Sequence, residues 1–400
     1  MKKEDLTDLL QKLISIESPY FQEEEIMGFT CSWLNEHGVE AQIHSYHEKK
    51  ETNFHGKNVV GVMDSGKAGP TVYLGGHLDT VSLCTGWSKA PYEGVVEDGF
   101  MYGVGALDMK AGCAALMLAV AEFAEKQKEA GGFRGKLIYH FVSDEEGPYG
   151  LGTVFIINDK IHNIKETADF AIIAEPSAGF TRRAHPCICL GARGGYNYTI
   201  KIKGKSAHAA TPELGISALD AAAEIISEIN KIEPVSDEQL GNSSICVIDL
   251  RSRGGACSVP DYAEVEVFHH TVRGETQQTI RRDVEAAIEN ANVKCKTEIV
   301  FRQSPADGFD GGFIPYCIDE NNEYLHRLEE SIERVCGRSG EKTYFQSIGD
   351  FNHIGGLLEI PTVLLGPDGE NFHSADEKVN ISSTLDISKI VLNFLENTLL

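Results

Sequence analysis

Hydrophobic positions near the start of the chain recur at helical spacing. Leu6, Leu9, Leu10, Leu13 and Ile16 share one face and predict an amphipathic helix ending near Ser18-Pro19. A second helix is predicted over 23–37, stopped by Gly38. Beyond it, short apolar runs at 71–76 (TVYLGG), 136–143 (KLIYHFVS) and 170–174 (FAIIA) read as buried strands. The segment 110–128, with its face of small residues, reads as a helix between the first two. Strand, helix, strand in this order predicts an α/β domain whose sheet is mixed, mainly parallel, and flanked by helices.

The pattern changes near residue 190. Residues 196–203 (YNYTIKIK) alternate cleanly, as a strand with one solvated face does. A helix over 216–232, strands over 244–249 and 263–268 and a helix over 276–290 follow, giving the order of a small ferredoxin-like α+β unit. From about residue 305 the earlier style returns, with a helix over 319–336 and an apolar strand over 361–365 (PTVLL). The expected organisation is a discontinuous catalytic domain, residues 1–190 and 304–400, interrupted by an inserted lid or dimerisation domain at 191–303. A length of 400 residues fits two or three domains of about 150 residues each.

Charge and composition narrow the function classes. The chain carries 36 Lys and Arg against 60 Asp and Glu, a formal charge of −24. Such a balance argues against tracking nucleic-acid phosphates and against an anionic membrane surface. Apolar runs such as 114–121 fall far short of the ~20 residues that span a bilayer. The N-terminal stretch MKKEDLTDLLQKLISIESP has acids among its leucines and no uninterrupted apolar core, so no signal peptide is expected. Ten scattered cysteines, the tightest pair being Cys187 and Cys189, read as reduced thiols. A cytoplasmic protein is the expectation.

Five places put metal-ligand side chains at the ends of predicted strands. His77 and Asp79 follow the strand at 71–76, and a carboxylate two residues on can fix the tautomer of a ligating imidazole. Asp108 stands just before a helix, where an N-cap alone would explain it. Asp144, Glu145 and Glu146 crowd the end of another strand; a solvated acidic turn is the plain reading, and division of roles between metal and water the chemical one. Glu175 ends the strand at 170–174, and His373 supplies a second imidazole far along the chain. Together they give two His and several carboxylates at the strand ends where open α/β sheets place their sites.

These segments make the chain recognisable. It resembles the co-catalytic zinc metallopeptidase family of acetylornithine deacetylase, succinyl-diaminopimelate desuccinylase, aminoacylase and glutamate carboxypeptidase. The resemblance rests on GHLDTV at 76–81, GALDMKAG at 105–112, DEEG at 144–147 and AEPS at 174–177. It continues through RGGY at 193–196, GKSAHAATP at 204–212, VPD at 259–261 and HSADEKV at 373–379. What it implies is a catalytic domain with a lid, two Zn²⁺ ions (Co²⁺ or Mn²⁺ being compatible with the same ligands) and hydrolysis of an amide bond in a small N-acylated amino acid, amine or peptide. Asp108 resembles the ligand shared by both ions, His77 and Glu175 the ligands of one, Glu146 and His373 those of the other. Asp79 would orient His77, and Glu145 would serve as general base toward water and then as acid toward the leaving amine. His208 matches a lid histidine that reaches the active site of a neighbouring subunit, which implies a homodimer joined through the lid.

Some segments depart from the family pattern. Where an arginine usually reads the substrate carboxylate, this chain has His269 and His270, followed only later by Arg273. Cys257-Ser258 replaces a common Asn, and the stretch 347–352 (SIGDFN) stands where Gly-Thr-Asp or Ser-Thr-Asp is common. The substrate tail is therefore expected near His269 or His270, with Arg193 or Arg253 as other readers of a carboxylate. A dipeptidase or carboxypeptidase is the alternative enzyme. A metal-dependent small-molecule binder without turnover is the alternative of another class, although a binder has no need of Glu145.

Overall fold

A computed structural model describes residues 2–306, 309 and 311–400. The chain opens with α1 (Lys3–Ser15) and α2 (Glu24–Glu36), followed by β1 (Gln42–His47), β2 (His55–Asp64) and β3 (Thr71–His77). Next come α3 (Ala111–Glu129), β4 (Lys136–Val142), β5 (Phe170–Ile173) and β6 (Cys187–Ala192). The central part contains β7 (Gly194–Lys203), α4 (Ala218–Ile229), β8 (Ser244–Arg253), β9 (Tyr262–Thr271), α5 (Gln277–Ala291) and β10 (Lys296–Phe301). The chain closes with β11 (Tyr316–Cys317), α6 (Glu323–Cys336), β12 (Glu341–Phe345), β13 (Thr362–Leu364) and α7 (Ile381–Leu399).

Among the described residues the large sheet runs β1-β2-β4-β3-β5-β13-β6-β11, with β12 pairing beside β6. Its centre, β4-β3-β5-β13, is parallel, while β1, β2 and β11 join antiparallel. The sheet is thus mixed around a parallel core, as its run of buried strands predicts. All seven residues of β3 are buried, because helices cover both faces. Helix α3 is buried through its whole first half, Ala111–Val120, where small side chains let it lie close to the sheet.

The central segment builds its own sheet and core. The strands run β8-β9-β7-β10, all antiparallel, in the ferredoxin-like order. Tyr198, Ile200 and Ile202 of β7 pack with Ala222 and Ile225 of α4, Val265 and Val267 of β9, and Ile280 and Val284 of α5. The opposite face is polar, with Thr199 and Lys201 of β7 beside Glu266 and Glu264 of β9.

Boundaries differ from the sequence reading where caps decide them. The helix expected over 216–232 spans Ala218–Ile229, because the Ser217 hydroxyl accepts the Asp220 N–H at 3.1 Å. The helix expected from 319 starts at Glu323, with the Asn322 side chain accepting from Tyr324 and Leu325. The hairpin β1–β2, strand β6 and the long helix α7 are additional. β1 is largely exposed and polar, so its periodicity is weak. Among the described residues, no helix is long and apolar enough to cross a membrane.

Candidate active site

Parallel strands deliver their C-terminal ends to one edge of the sheet, and the candidate ligands gather there. His77 is the last residue of β3, Glu145 and Glu146 follow β4, and Glu175 follows β5. His373 lies in the loop after β13, and Asp108 in the bend that opens α3. Two glycines permit the approach. A Cβ on Gly112 would lie 2.1 Å from the carbonyl oxygen of Ala174, and one on Gly366 2.2 Å from that of Glu175. Side chains at either position would push α3 or the loop after β13 away from Glu175.

Asp108 sits at the middle of the arrangement. Its Oδ1 is 3.2 Å from His77 Nε2 and its Oδ2 is 3.1 Å from His373 Nε2. Glu146 Oε1 lies 2.8 Å from the same His373 nitrogen, and Glu175 Oε1 lies 3.8 Å from His77 Nε2. Two three-residue groups result, His77–Asp108–Glu175 and Asp108–Glu146–His373, each with ligand atoms within 4.8 Å of one another. The donor set is imidazole and carboxylate throughout, which suits Zn²⁺, Co²⁺ or Mn²⁺. One carboxylate belongs to both groups, as a pair of neighbouring cations requires. The residues fit a dinuclear centre.

Surrounding groups set the ligands. His77 Nδ1 donates to the backbone carbonyl of Asp79 at 3.0 Å, which leaves Nε2 free toward the centre. The Asp79 carboxylate stands 3.5 Å from that Nδ1 and accepts the backbone N–H of Glu146 at 2.8 Å, so it also shapes the acidic turn. Glu145 Oε1 accepts the Asp350 N–H at 3.1 Å, while its Oε2 lies 3.8 Å from His77 Nε2.

Burial dominates the electrostatics. It pushes the Glu145 and Glu175 carboxyls well above the usual carboxylate range, with neighbouring acids adding to the rise and His77 opposing it. Burial and Asp108 likewise raise Glu146 to about 7. Asp108 is the exception: burial works upward, yet bonds to His373 and His77 bring it down to about 2. Hydrogen bonds from Asp108 and Glu146 raise His373 to about 11. The site is built for more positive charge than ordinary side chains bring.

A cavity of about 560 Å³ opens over these groups. Asp108, Glu145, Glu146, Glu175 and His373 form its floor, and Phe180, Phe345 and Phe372 form an aromatic wall. The Phe180 ring stacks on Phe345 at 5.2 Å and tilts against Phe372 at 4.6 Å. Arg183 and Ser347 complete the rim.

The remaining expected residues are placed differently. His270 Nε2 lies 3.4 Å from the Ser347 hydroxyl, at the rim of the cavity. His269, one residue earlier on β9, points the other way and pairs with Glu275 at 3.2 Å in a buried contact, apart from the cavity lining. Arg193 donates to the Leu240 carbonyl at 3.1 Å, and its charge, after burial, helps hold His270 down at about 4. Arg253 ends β8 in an exposed stretch. His208 is exposed in the loop after β7, its Nδ1 accepting the Ala210 N–H at 3.0 Å, and lies outside the lining of its own chain's cavity.

Two residues of the site are not singled out by sequence reasoning. Asp350 brings its carboxylate into a group with Glu145 and Glu175. Glu377 is buried behind Asp108 and accepts the N–H groups of Gly105, Leu107 and Asp108. Their only sequence signal is an acid inside segments where other residues draw attention.

Parallel-sheet geometry, overlapping three-residue ligand groups and a cavity over them fit a metal-dependent hydrolase of amide bonds. The chain belongs to the peptidase family M20/M25/M40, whose profile matches residues 73–397. It is 27% identical over 401 residues to a succinyl-diaminopimelate desuccinylase of Nitratiruptor sp., a match covering 98% of each chain. A desuccinylase of Sulfurovum sp. is 26% identical over 386 residues, covering 94% of each. Among solved structures, a tripeptidase from Staphylococcus aureus superposes with a TM-score of 0.79 at 23% identity, covering 100% of this chain and 99% of that one. An M20 family metallo-carboxypeptidase from Sulfolobus solfataricus gives 0.77 at 16% identity, covering 99% of both.

Proposed function

We propose that this enzyme hydrolyses the amide bond of a short peptide or N-acylated amino acid whose apolar group packs on Phe180, Phe345 and Phe372. His77 and Glu175 would hold one cation, Glu146 and His373 the other, and Asp108 both. The carrying observation is the Asp108 carboxylate, with one oxygen beside each imidazole. Two bound cations, Zn²⁺ in this reading, acidify water and polarise the scissile carbonyl.

The chain's own residues do the rest. Glu145 accepts a proton from the attacking water and returns it to the leaving amine; burial raises its affinity for that proton. The Asp350 N–H holds the Glu145 carboxylate in place. Residues 1–190 and 304–400 act as the catalytic domain, and 191–303 as a lid that also joins two copies, bringing His208 of one to the oxyanion of the other. Its exposure beyond its own cavity supports that role. His270, beside the Ser347 hydroxyl, would meet the substrate tail, with the charge of Arg193 close to it. Ten free cysteines support a cytoplasmic location.

The relatives pull toward two substrate classes, since some are named desuccinylases and others peptidases. The aromatic wall favours the peptide class, because a succinyl group offers little apolar surface to pack there. The test is a panel of di- and tripeptides with apolar or polar first residues, beside N-acetyl and N-succinyl amino acids. Each is assayed with Zn²⁺, Co²⁺ or Mn²⁺ and after chelation. Turnover restricted to succinylated substrates would overturn the peptide reading.

A further inference from the structure

Outside the lining of the catalytic cavity, three side chains from three separate elements meet. His185 comes from the loop before β6, Cys336 is the last residue of α6, and Asp386 lies early in α7. Their Nδ1 or Nε2, Sγ and carboxylate atoms all lie within 4.8 Å of one another. None of the three lines the catalytic cavity or belongs to the groups around Asp108.

His185 is the informative member. Both of its ring nitrogens are buried, and neither has a hydrogen-bond partner; Asp386 Oδ2 lies 3.7 Å from Nε2. A buried imidazole with two unmet nitrogens is costly, and an ion between the three side chains would meet one of them. The loop is anchored rather than free. Arg338 donates to the His185 carbonyl, and the Glu341 N–H donates to that of Pro186 at 2.9 Å. The ring is therefore held before any ligand arrives.

We propose that His185, Cys336 and Asp386 form a third metal site, separate from the catalytic pair, that takes a thiophilic divalent cation of the Zn²⁺ class. Thiolate and carboxylate supply two negative charges and imidazole a neutral nitrogen, so a divalent ion leaves the group uncharged. Three protein ligands and one water complete a tetrahedron. Asp386, with 31% of its side chain exposed, gives the ion access from solvent. Burial and Asp386 push the Cys336 thiol above its ordinary value, with Arg338 and Lys389 offsetting only part of the rise, so the cation itself must displace the thiol proton. The site would tie the loop before β6 to the ends of two helices, a structural rather than catalytic role.

Cobalt separates this site from the catalytic one, since only a thiolate ligand gives Co²⁺ an intense near-ultraviolet charge-transfer band. The full-length protein, stripped of metal and titrated with Co²⁺, is expected to bind three equivalents, one of which brings that band. Cys336→Ser and His185→Ala should each lose the band and one equivalent. His373→Ala, which touches only the catalytic group, should keep the band. A second measurement covers any failure of those variants to fold. In the unaltered protein, Zn²⁺ should slow maleimide labelling of Cys336 at least tenfold relative to chelated protein, with exposed Cys84, Cys246 and Cys257 unchanged. Saturation at two equivalents without the band, a band that persists in Cys336→Ser, or labelling of Cys336 indifferent to Zn²⁺ would each overturn the proposal.

Discussion

Glu377 holds the backbone of Asp108. Its Oε1 accepts the N–H groups of Asp108 at 3.0 Å and Leu107 at 2.8 Å, and its Oε2 accepts that of Gly105 at 2.9 Å. Burial lifts the Glu377 carboxyl to about 8 while these bonds pull it back, so the carboxylate spends its acceptors on positioning the shared ligand. Glu377→Ala should release the bend before α3 and weaken metal binding by roughly 10–100-fold, the range for lost supporting partners. Competition with a fluorescent chelator reads the affinity. Unchanged affinity in a folded variant would show that the bend holds itself.

The ligand assignments make separable demands. Asp108→Ala should bring catalytic metal content toward zero, because both ions lose a ligand, whereas His373→Ala should mainly weaken one. Glu145→Gln should keep both ions and lose turnover, since an amide cannot shuttle the proton. Metal analysis of the purified variants, read beside rates, checks all three. Loss of catalytic metal from Glu145→Gln would reverse the roles given to Glu145 and Glu146.

The partner role of His208 predicts complementation. Glu145→Gln and His208→Ala homodimers should both be poor catalysts, the second by roughly 10²–10³-fold. A mixed dimer contains one site with an intact Glu145 and a His208 from the other chain. Co-expressed, tag-purified heterodimers should regain up to half the normal activity. Heterodimers as inactive as both parents would place His208 outside the neighbouring site.

The aromatic wall predicts a change in preference rather than in chemistry. Phe372 is 38% exposed at the mouth of the cavity, so its removal costs little in the core. Phe372→Ala should lower kcat/KM roughly tenfold for substrates with large apolar groups and leave small polar ones within about twofold. Equal losses across the panel would point to a misplaced His373 next door.

A buried histidine predicts part of the acid sensitivity. His353 is 5% exposed, and burial holds its pKa down at about 4. In the unfolded chain it regains the ordinary value near 6.5. Between these values the unfolded state binds the extra proton, so stability is fully present above about 6.5 and falls as pH drops toward 4. The loss should approach about 3 kcal/mol by pH 4. Urea midpoints between pH 7 and 4.5 should fall less steeply in His353→Phe than in the unaltered protein. Parallel slopes would show that the imidazole is not held neutral.

Much of this architecture is legible in the order of residues. Buried parallel strands write long apolar runs, and 71–76, 136–143 and 170–174 became β3, β4 and β5 with shifts of a residue or two at their ends. The clean alternation at 196–203 marked β7 and the change to an open-faced sheet. Residue types at strand ends also pointed to a metal centre, because two His and several acids recur at successive strand ends although each alone has a plainer reading. Tertiary structure decided what periodicity cannot carry. It turned His269 inward to Glu275 while its neighbour His270 met Ser347, since adjacent strand residues face opposite ways and local sequence does not say which face a lid presents. It also set Glu377 beneath Asp108 and gathered His185, Cys336 and Asp386 from distant segments. Such contacts arise from packing between elements far apart in the chain, and a one-dimensional pattern holds no trace of them until the sheet and helices are in place.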